Sequence, residues 1–209
     1  MTLSRFAPVR VITSMDRQLE LQLVRRLQAG DPDAFDAVHG AFNVRLYNFL
    51  VRLTNRRDVA EDLLEETWLR LVGHARRLRA DTRLAPWLFT VARRLYVSYC
   101  RARLLEESHA GDLIGLWPSG SPGPSPLAAA EASEAQRRIA TALGSLPVPY
   151  REALLLVAVD GLQPSEAADV CGVTAEAMRQ RLSRARALLA RRPTDGERPR
   201  LVSLNEVST

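Results

Sequence analysis

Arginine is the residue whose chemistry is most informative in this sequence. The 29 basic residues of the 209-residue chain are all arginine, and no lysine occurs. A guanidinium group presents a planar fork of donors that suits phosphate oxygens and purine edges better than an ammonium group does. A GC-rich genome would also favour arginine over lysine. The positions of the arginines are therefore more informative than their number.

The densest run of arginines precedes and enters a predicted helix. Residues 70–103 hold nine arginines and one acid, Asp81, and the helix is predicted from about Ala85 to Leu104. Its inward face is predicted to comprise Leu88, Val91, Ala92, Leu95 and Tyr99. Guanidinium groups interleaved with an aromatic ring are typical of a single-strand surface, because bases stack on the ring while phosphates are neutralised. The candidate residues for this surface are Arg76, Arg77, Arg79, Arg83, Trp87, Thr90, Arg93, Arg94 and Arg101. In the alternative interpretation Trp87 is a core residue and the arginines are only solvated.

A second candidate site is a helix-turn-helix near the end of the chain. Residues 163–171 predict a short helix, Gly172 supplies a left-handed turn, and Thr174 caps a longer helix. The outward side of the longer helix would present Glu176, Arg179, Gln180, Ser183 and Arg184. Arginine and glutamine can each make paired hydrogen bonds to purine edges in a major groove. Plain scaffolding is the alternative, because small helical hairpins with a glycine turn also occur without binding DNA.

A third feature is an acidic helix face. Residues 58–72 predict a helix that begins at Asp58 with an aspartate version of the capping box. The face opposite its apolar stripe carries Glu61, Asp62, Glu65, Glu66 and the apolar Leu69. An apolar residue among exposed acids indicates a contact with a protein partner, although a purely solvated face would have similar composition.

Helices are predicted throughout, because apolar residues recur every three or four positions and no alternating run appears. Asp31-Pro32-Asp33 marks a further helix start. Residues 105–134 carry five acids and no basic residue, and they include a stretch rich in proline, glycine and serine that predicts a flexible linker. The prediction is therefore an all-α protein of two small helical domains, the second containing the helix-turn-helix. Its predicted parts are an extension at 1–15, a domain at 16–104, the linker, a domain at 135–192 and a tail at 193–209.

Several classes of function are not expected. No stretch approaches the roughly 18 consecutive apolar residues of a membrane-spanning helix, and the start lacks the pattern of an export signal, which predicts a cytoplasmic protein. Cys100 and Cys171 form no CxxC pair, and the three histidines lie far from them, so we expect no metal or other cofactor. No set of nucleophile, base and orienting group can be assembled, so we expect no enzyme.

Three segments together resemble a known family. They are DVAEDLLEETWLRLV at 58–72, LAPWLFTVARRLYVSYCRAR at 84–103, and residues 146–189, which begin LPVPYREALLLVAVDGLQPSEAADVCGV. In these motifs and their order the chain is similar to the extracytoplasmic-function (ECF) sigma factors of bacteria. The resemblance implies a protein that binds core RNA polymerase, recognises a promoter and helps to melt it.

The resemblance also implies a role for each candidate surface. The acidic helix face would contact the polymerase clamp, residues 76–103 would bind the melted −10 element, and Arg179, Gln180, Ser183, Arg184 and Glu176 would read the −35 element. The implied partners are the clamp and flap regions of core RNA polymerase, promoter DNA and an anti-sigma factor.

The chain departs from the usual family pattern at a few positions. Arg94 and Ser98 stand where the family usually has Asn and Asp, Glu65 where Gln is common, and Glu176-Ala177 where Gly-Thr is frequent. These departures leave the promoter preference open. Two other functions also remain open: a decoy that binds an anti-sigma factor without reading DNA, and a stand-alone helix-turn-helix regulator that binds duplex DNA without polymerase.

Overall fold

The structure is a computed structural model that describes residues 16–108 and 134–191. The predicted extension, the predicted tail and most of the predicted linker lie outside these ranges. Within them the chain forms helices and turns and contains no strand, which confirms the predicted all-α class. None of the helices in these two ranges is both long enough and apolar enough to cross a membrane.

The helices form two bundles. The N-terminal bundle contains α1 (Arg17–Gln28), α2 (Pro32–Thr54), α3 (Arg57–His74) and α4 (Leu84–Ser108), with a 3-10 turn at Ala75–Arg77 after α3. The C-terminal bundle contains α5 (Glu134–Gly144), α6 (Val148–Leu154), α7 (Pro164–Cys171) and α8 (Ala175–Ala190), and α6 continues as a π-helical turn, Leu155–Val159. The helix α1 was not predicted, and α4 extends four residues beyond its predicted end at Leu104.

Side-chain caps explain where α2 and α8 begin. The Asp31 carboxylate accepts a hydrogen bond from the Asp33 N–H at 3.0 Å, and the Thr174 hydroxyl accepts one from the Ala177 N–H at 3.1 Å, as predicted. The predicted start of α3 at Asp58 is wrong by one residue, because the Asp58 carboxylate pairs with the Arg56 guanidinium and does not cap the helix. Gly172 has a φ of 66°, so the predicted helix-turn-helix is built around a left-handed glycine.

The core of the N-terminal bundle is a close packing of aliphatic and aromatic side chains. Phe49 of α2 meets Phe89 of α4 edge-on, with ring centroids 5.1 Å apart and planes 89° apart. Both side chains are fully buried, and burial of each contributes about 1.5–3 kcal/mol to folding. The buried face of α4 consists of Leu84, Leu88, Phe89, Ala92, Tyr96 and Cys100. The predicted inward residues Val91, Leu95 and Tyr99 are only half-buried.

The two bundles pack against each other, chiefly through α4 and α7. Arg151 of α6 is buried and donates to Leu143 O at 3.0 Å within its own bundle. The same guanidinium donates to Arg52 O at 3.3 Å and Leu53 O at 3.4 Å in the last turn of α2. Carbonyl groups at a helix C-terminus lack intrahelical partners and carry partial negative charge. Arg151 of one bundle therefore supplies hydrogen-bond donors to the C-terminal carbonyl groups of a helix in the other.

Candidate nucleic-acid and protein interfaces

The predicted single-strand surface lies on α4 and on the turn before it. The Trp87 ring is half-buried and stacks on the His74 ring, with centroids 5.8 Å apart and planes 20° apart. The Thr90 hydroxyl is engaged by its own helix, donating to Pro86 O at 2.7 Å. Trp87, Thr90 and Arg94 line one groove, whereas Arg101 is exposed two helical turns beyond Arg94. The structure thus brings the ring and most of the predicted stripe together.

A buried carboxylate in α1 orders the start of this surface. Glu20 accepts hydrogen bonds from Arg17 at 2.6 Å and from the N–H of Leu84, the first residue of α4, at 2.7 Å. Its Oε2 also pairs with the Arg83 guanidinium at 3.1 Å. This role of Glu20 was not predicted from the sequence, although the apolar spacing of Leu23, Val24 and Leu27 indicates the helix α1.

The arginines of the preceding turn have different environments. Arg76 and Arg77 are exposed in the 3-10 turn. Arg79 pairs with Asp81 at 3.0 Å, and this guanidinium lowers the pKa of the Asp81 carboxyl. Arg76 and Arg77 therefore present their guanidinium groups to solvent, while Arg79 shares its charge with a neighbouring acid.

Two arginines of the predicted surface contact acids of the C-terminal bundle. The Arg93 Nε lies 2.9 Å from Oε1 of Glu152, which is only 1% exposed. The Arg83 Nη2 lies 3.1 Å from Oε1 of Glu166. Burial raises the pKa of Glu152, and the positive charge of Arg93 opposes that rise. These contacts join the predicted single-strand surface to the other bundle.

The bundles are also joined through α2. Nη2 of Arg45 donates to Asp160 O at 2.6 Å, and Nε of Arg45 lies 3.6 Å from Asp160 Oδ1. Burial raises the pKa of Asp160 to about 7, although the charges of Arg45 and Arg52 lower it. Asp160 thus follows the π-helical turn of the C-terminal bundle and contacts Arg45 of the N-terminal bundle.

The outward face of α8 carries the five residues predicted to read a duplex. All of them are exposed: Glu176, Arg179, Gln180, Ser183 and Arg184. The Glu176 carboxylate accepts from Arg179 Nη2 at 2.6 Å and from Arg179 Nε at 3.1 Å, and Gln180 Nε2 lies 3.5 Å from its other oxygen. Arg179 lowers the pKa of Glu176. Glu176 thus orients the guanidinium of Arg179 from one helical turn away.

The acidic face of α3 borders an apolar groove between α2 and α3. Glu61, Asp62 and Glu65 are exposed, and Glu66 pairs with Arg70 at 2.6 Å. Leu69 is 57% exposed. The groove is lined by Phe35, His39, Glu61, Leu64, Glu65, Trp68, Leu69 and Val72.

Leu69 was predicted from the sequence as a contact residue, but the other apolar residues of this groove were not. Trp68 is nearly buried, and its indole N–H donates to Asn43 Oδ1 at 3.0 Å. The His39 ring lies 4.7 Å from the Trp68 ring. Val72, one turn after Leu69, is 59% exposed and was the available signal for a wider apolar patch.

The cysteines are placed for packing. Cys100 and Cys171 are both buried and free, and burial raises the pKa of Cys171 to about 12. A thiol with a raised pKa stays protonated and is a weak nucleophile. Among residues 16–108 and 134–191, no group of three or more His, Cys, Asp or Glu side chains is arranged to hold a metal ion.

Each of the two bundles matches a known family. Residues 38–104 match Sigma-70 region 2, and residues 136–189 match Sigma-70 region 4. The chain is 32% identical over 142 residues to the ECF RNA polymerase sigma factor EcfG of Rhodopseudomonas palustris, covering 68% of this chain and 75% of the relative. It is 31% identical over 152 residues to the ECF RNA polymerase sigma factor SigM of Bacillus subtilis, covering 72% and 90%.

Solved structures share the fold. The structure of CnrH in complex with the cytosolic domain of CnrY has a TM-score of 0.60 at 22% identity and covers 82% of this chain and 94% of that chain. The sigma factor RpoE of Bartonella quintana, in complex with the anti-sigma factor NepR, has a TM-score of 0.54 at 24% identity and covers 82% and 92%.

Proposed function

This chain belongs to the ECF RNA polymerase sigma factors, and we propose from that premise how its surfaces share the work of transcription initiation. A sigma factor directs core RNA polymerase to promoters. It acts by binding, without catalysing a reaction itself. The observation that carries the proposal is that the two nucleic-acid surfaces and the apolar groove lie on different helices: α4, α8 and the α2–α3 edge.

The apolar groove between α2 and α3 is the proposed site for the clamp of core polymerase. Its exposed apolar residues, Leu69 and Val72, offer contact area, while Glu61 and Glu65 at its edge favour a basic partner. Asp62 and Glu66 extend the acidic rim. This combination suits a helix of the clamp that presents apolar and basic residues.

The α4 surface is the proposed binding site for the melted −10 element. Trp87 supplies a ring on which an unpaired base can stack, and the nearby arginines Arg83, Arg93 and Arg94 can neutralise phosphates. The stacking of Trp87 on His74 supports this role, because a ring that is already oriented loses less entropy when a base binds. Arg76, Arg77, Arg79 and Arg101 would contact the strand further along the backbone.

The outward face of α8 is the proposed reader of the −35 element in the major groove. Arg179 and Gln180 would contact base edges, and Ser183 and Arg184 would contact bases or phosphates from the same face. Glu176 adds a negative charge that repels phosphate, so its proposed role is to orient the guanidinium of Arg179. The flap of core polymerase would hold this bundle at the upstream element.

Further partners follow from the same family membership. We expect the chain in the cytoplasm together with its polymerase, and we expect an anti-sigma factor to control it. RpoE and CnrH were each solved with a protein partner bound, RpoE with an anti-sigma factor, which supports that expectation. The exposed Arg179, Gln180 and Arg184 argue against a decoy that has lost DNA reading, and the apolar groove argues against a stand-alone regulator.

Reconstitution with core polymerase tests the proposed function. The full chain is combined with purified bacterial core enzyme, and initiating promoters are selected from a random library by sequencing run-off transcripts. Sequence-specific initiation that depends on the chain is the expected result. A decoy would give no transcripts, and a stand-alone regulator would protect duplex DNA equally well without polymerase.

Replacing Trp87 by leucine should slow promoter melting more than promoter binding. The leucine keeps an apolar side chain at this half-buried position of α4 but removes the ring. Loss of base stacking is expected to slow melting at least roughly fivefold, because stacking of a base on an aromatic ring is worth about 1–3 kcal/mol. Permanganate reactivity of unpaired thymines follows melting, and a gel-shift assay of closed complexes follows binding. A promoter with a pre-melted −10 region should restore the rate. A variant equally slow on that promoter would contradict a role in melting.

A further inference from the structure

The helix α1 makes polar contacts with the segment that carries two arginines of the proposed −10 surface. We name residues 78–83 the arginine turn, which connects the 3-10 turn after α3 to the start of α4. Leu78 anchors this segment, because it is only 4% exposed. The side chains of Arg79 and Arg83 are 83% and 51% exposed. The match to Sigma-70 region 2 begins at residue 38, so α1 lies before it.

Side chains at the two ends of α1 bind carbonyl groups of the arginine turn. Nε2 of Gln28, in the last turn of α1, donates to Leu78 O at 2.5 Å. Arg17, the first residue of α1, donates from Nη2 to Asp81 O at 2.9 Å and from Nη1 to Thr82 O at 3.4 Å. Backbone carbonyl groups of a turn need such partners when no ladder or helix supplies them. The path of the turn is therefore fixed by a helix that lies 50 or more positions earlier in the chain.

Glu20 connects these contacts to the start of α4. It is 4% exposed, and its carboxylate accepts from the Leu84 N–H at 2.7 Å and from Arg17 Nη1 at 2.6 Å. Its Oε2 lies 3.1 Å from Nε of Arg83. A buried carboxylate is costly unless cations and hydrogen-bond donors compensate it. The compensation of Glu20 therefore requires the end of the arginine turn to stay where it is.

We propose that Arg17, Glu20 and Gln28 are positioning residues for promoter melting, which hold the arginine turn in the shape that binds the melted −10 strand. The proposal rests on the proposed role of the α4 surface in binding that strand. It gives α1 a part in initiation that is exerted through the turn, without a contact between these three side chains and DNA.

Preorganisation is the physical basis of the proposal. Without the contacts from α1 the turn would sample several backbone conformations, and ordering it when the strand binds would cost entropy. Arg83 benefits most directly, because it lies between Thr82, whose carbonyl group Arg17 binds, and Leu84, whose N–H Glu20 binds. If the competent shape is held by only about a tenth to a third of the molecules, the apparent affinity falls roughly three- to tenfold.

The contacts of α1 are separate from the proposed polymerase site. The apolar groove is lined by residues of α2 and α3 and by none of α1. The apolar face that packs α1 onto the bundle consists of Leu23, Val24 and Leu27, which differ from the three positioning residues. Substituting the polar residues should therefore change the arginine turn while the affinity for core polymerase stays the same.

The test removes the donors of α1 that reach the turn. The full-length double variant Arg17→Met/Gln28→Met, called the turn variant, keeps unbranched side chains but no donor at these positions. Its matched control, Arg25→Met/Gln22→Met, makes the same two exchanges at exposed positions of α1. Each protein is assembled with core polymerase and titrated into a short fluorescein-labelled single strand, copied from the −10 region of a promoter that the wild type selects. Affinity for core polymerase and backbone hydrogen exchange, followed by mass spectrometry, are measured in parallel.

The turn variant should bind the strand roughly three- to tenfold more weakly than the wild type, as expected when the competent shape becomes a minor population. Its hydrogen exchange should be faster in the arginine turn, while its affinity for core polymerase and both properties of the control should match the wild type. Unchanged strand affinity, or weaker binding without faster exchange in the turn, would overturn the proposal. An equal loss in the control would overturn it too, because lost positive charge would then explain the effect. Faster exchange throughout the N-terminal bundle with weaker core binding would reduce the three residues to a role in stability, and would likewise overturn it.

A single variant covers the possibility that the double substitution prevents folding. Gln28→Met removes one uncharged donor and should give the same two changes at a smaller size, and their absence would count against the proposal. Run-off transcription separates this proposal from the proposed function. A wild-type chain that fails to initiate with core polymerase would contradict the function, whereas a chain that initiates without any effect of the turn variant would contradict only the positioning role of α1.

Discussion

Replacing Leu69 and Val72 together by arginine should abolish most of the affinity of this sigma factor for core RNA polymerase. Both side chains are more than half exposed at the mouth of the apolar groove, beside Trp68 and Leu64. Truncating or charging the central residues of an interface costs about 2–4 kcal/mol, which corresponds to a roughly 30- to 1,000-fold loss in affinity. Two arginines would also repel the basic partner that the acidic rim favours. Fluorescence anisotropy of the labelled chain, titrated with core enzyme, measures the effect.

A matched control separates the groove from surface charge in general. Leu19 and Val44 are exposed apolar residues of α1 and α2 outside the groove, so Leu19→Arg/Val44→Arg introduces the same charge elsewhere. Both double variants should keep the wild-type circular dichroism spectrum, because substitutions at exposed sites usually change stability by no more than about 0.5 kcal/mol each. If the two variants bound core enzyme equally well, the groove would not be the clamp site.

The predictable part of the fold consists of local interactions. The caps at Asp31 and Thr174 and the turn at Gly172 involve residues at most three positions apart, so their spacing is legible in the sequence. The wrong start of α3 has a local cause that spacing cannot resolve. Asp58 can either cap a helix or pair with Arg56, and the second arrangement occurs.

Interactions between distant segments were not predictable in the same way. Glu20 caps the start of α4 from 64 positions away, Arg93 meets Glu152 across 59 positions, and Arg45 meets Asp160 across 115. Periodicity identifies which residues avoid water, but it does not say which helices meet. Arg93 was therefore predicted on a solvent-facing surface, and its carboxylate partner Glu152 was not predicted.

The candidate surfaces also divide into those formed by one helix, which were predictable, and those formed by two helices, which were not. The residues of α8 were identified because an exposed face is the complement of an apolar stripe on one helix, and that complement is a property of sequence alone. The apolar groove was only partly identified because one of its walls comes from α2, whose Phe35 and His39 approach Trp68 of α3 in space. A surface built from two helices requires the packing of those helices to be known.

Replacing Arg179 by alanine should change which −35 sequences the chain selects, and not merely how tightly it binds. Arg179 is exposed on the outward face of α8, and Glu176 holds its guanidinium through two hydrogen bonds, which leaves its remaining donors available for a base edge. Loss of a paired contact to a base costs roughly 1–3 kcal/mol at that base pair and relaxes selection there. Promoter selection from a random library, scored position by position, measures both effects.

The control for Arg179 is an arginine of the same helix that we expect to contact phosphate. Arg186→Ala removes an exposed positive charge further along α8, so it should weaken binding uniformly across sequences and reduce the salt dependence of binding. Glu176→Gln should fall between the two variants, because it frees the guanidinium of Arg179 without removing it. If the selected sequences of Arg179→Ala matched those of the wild type, Arg179 would act as a phosphate contact, and the reading of the −35 element would have to be assigned to Gln180, Ser183 and Arg184.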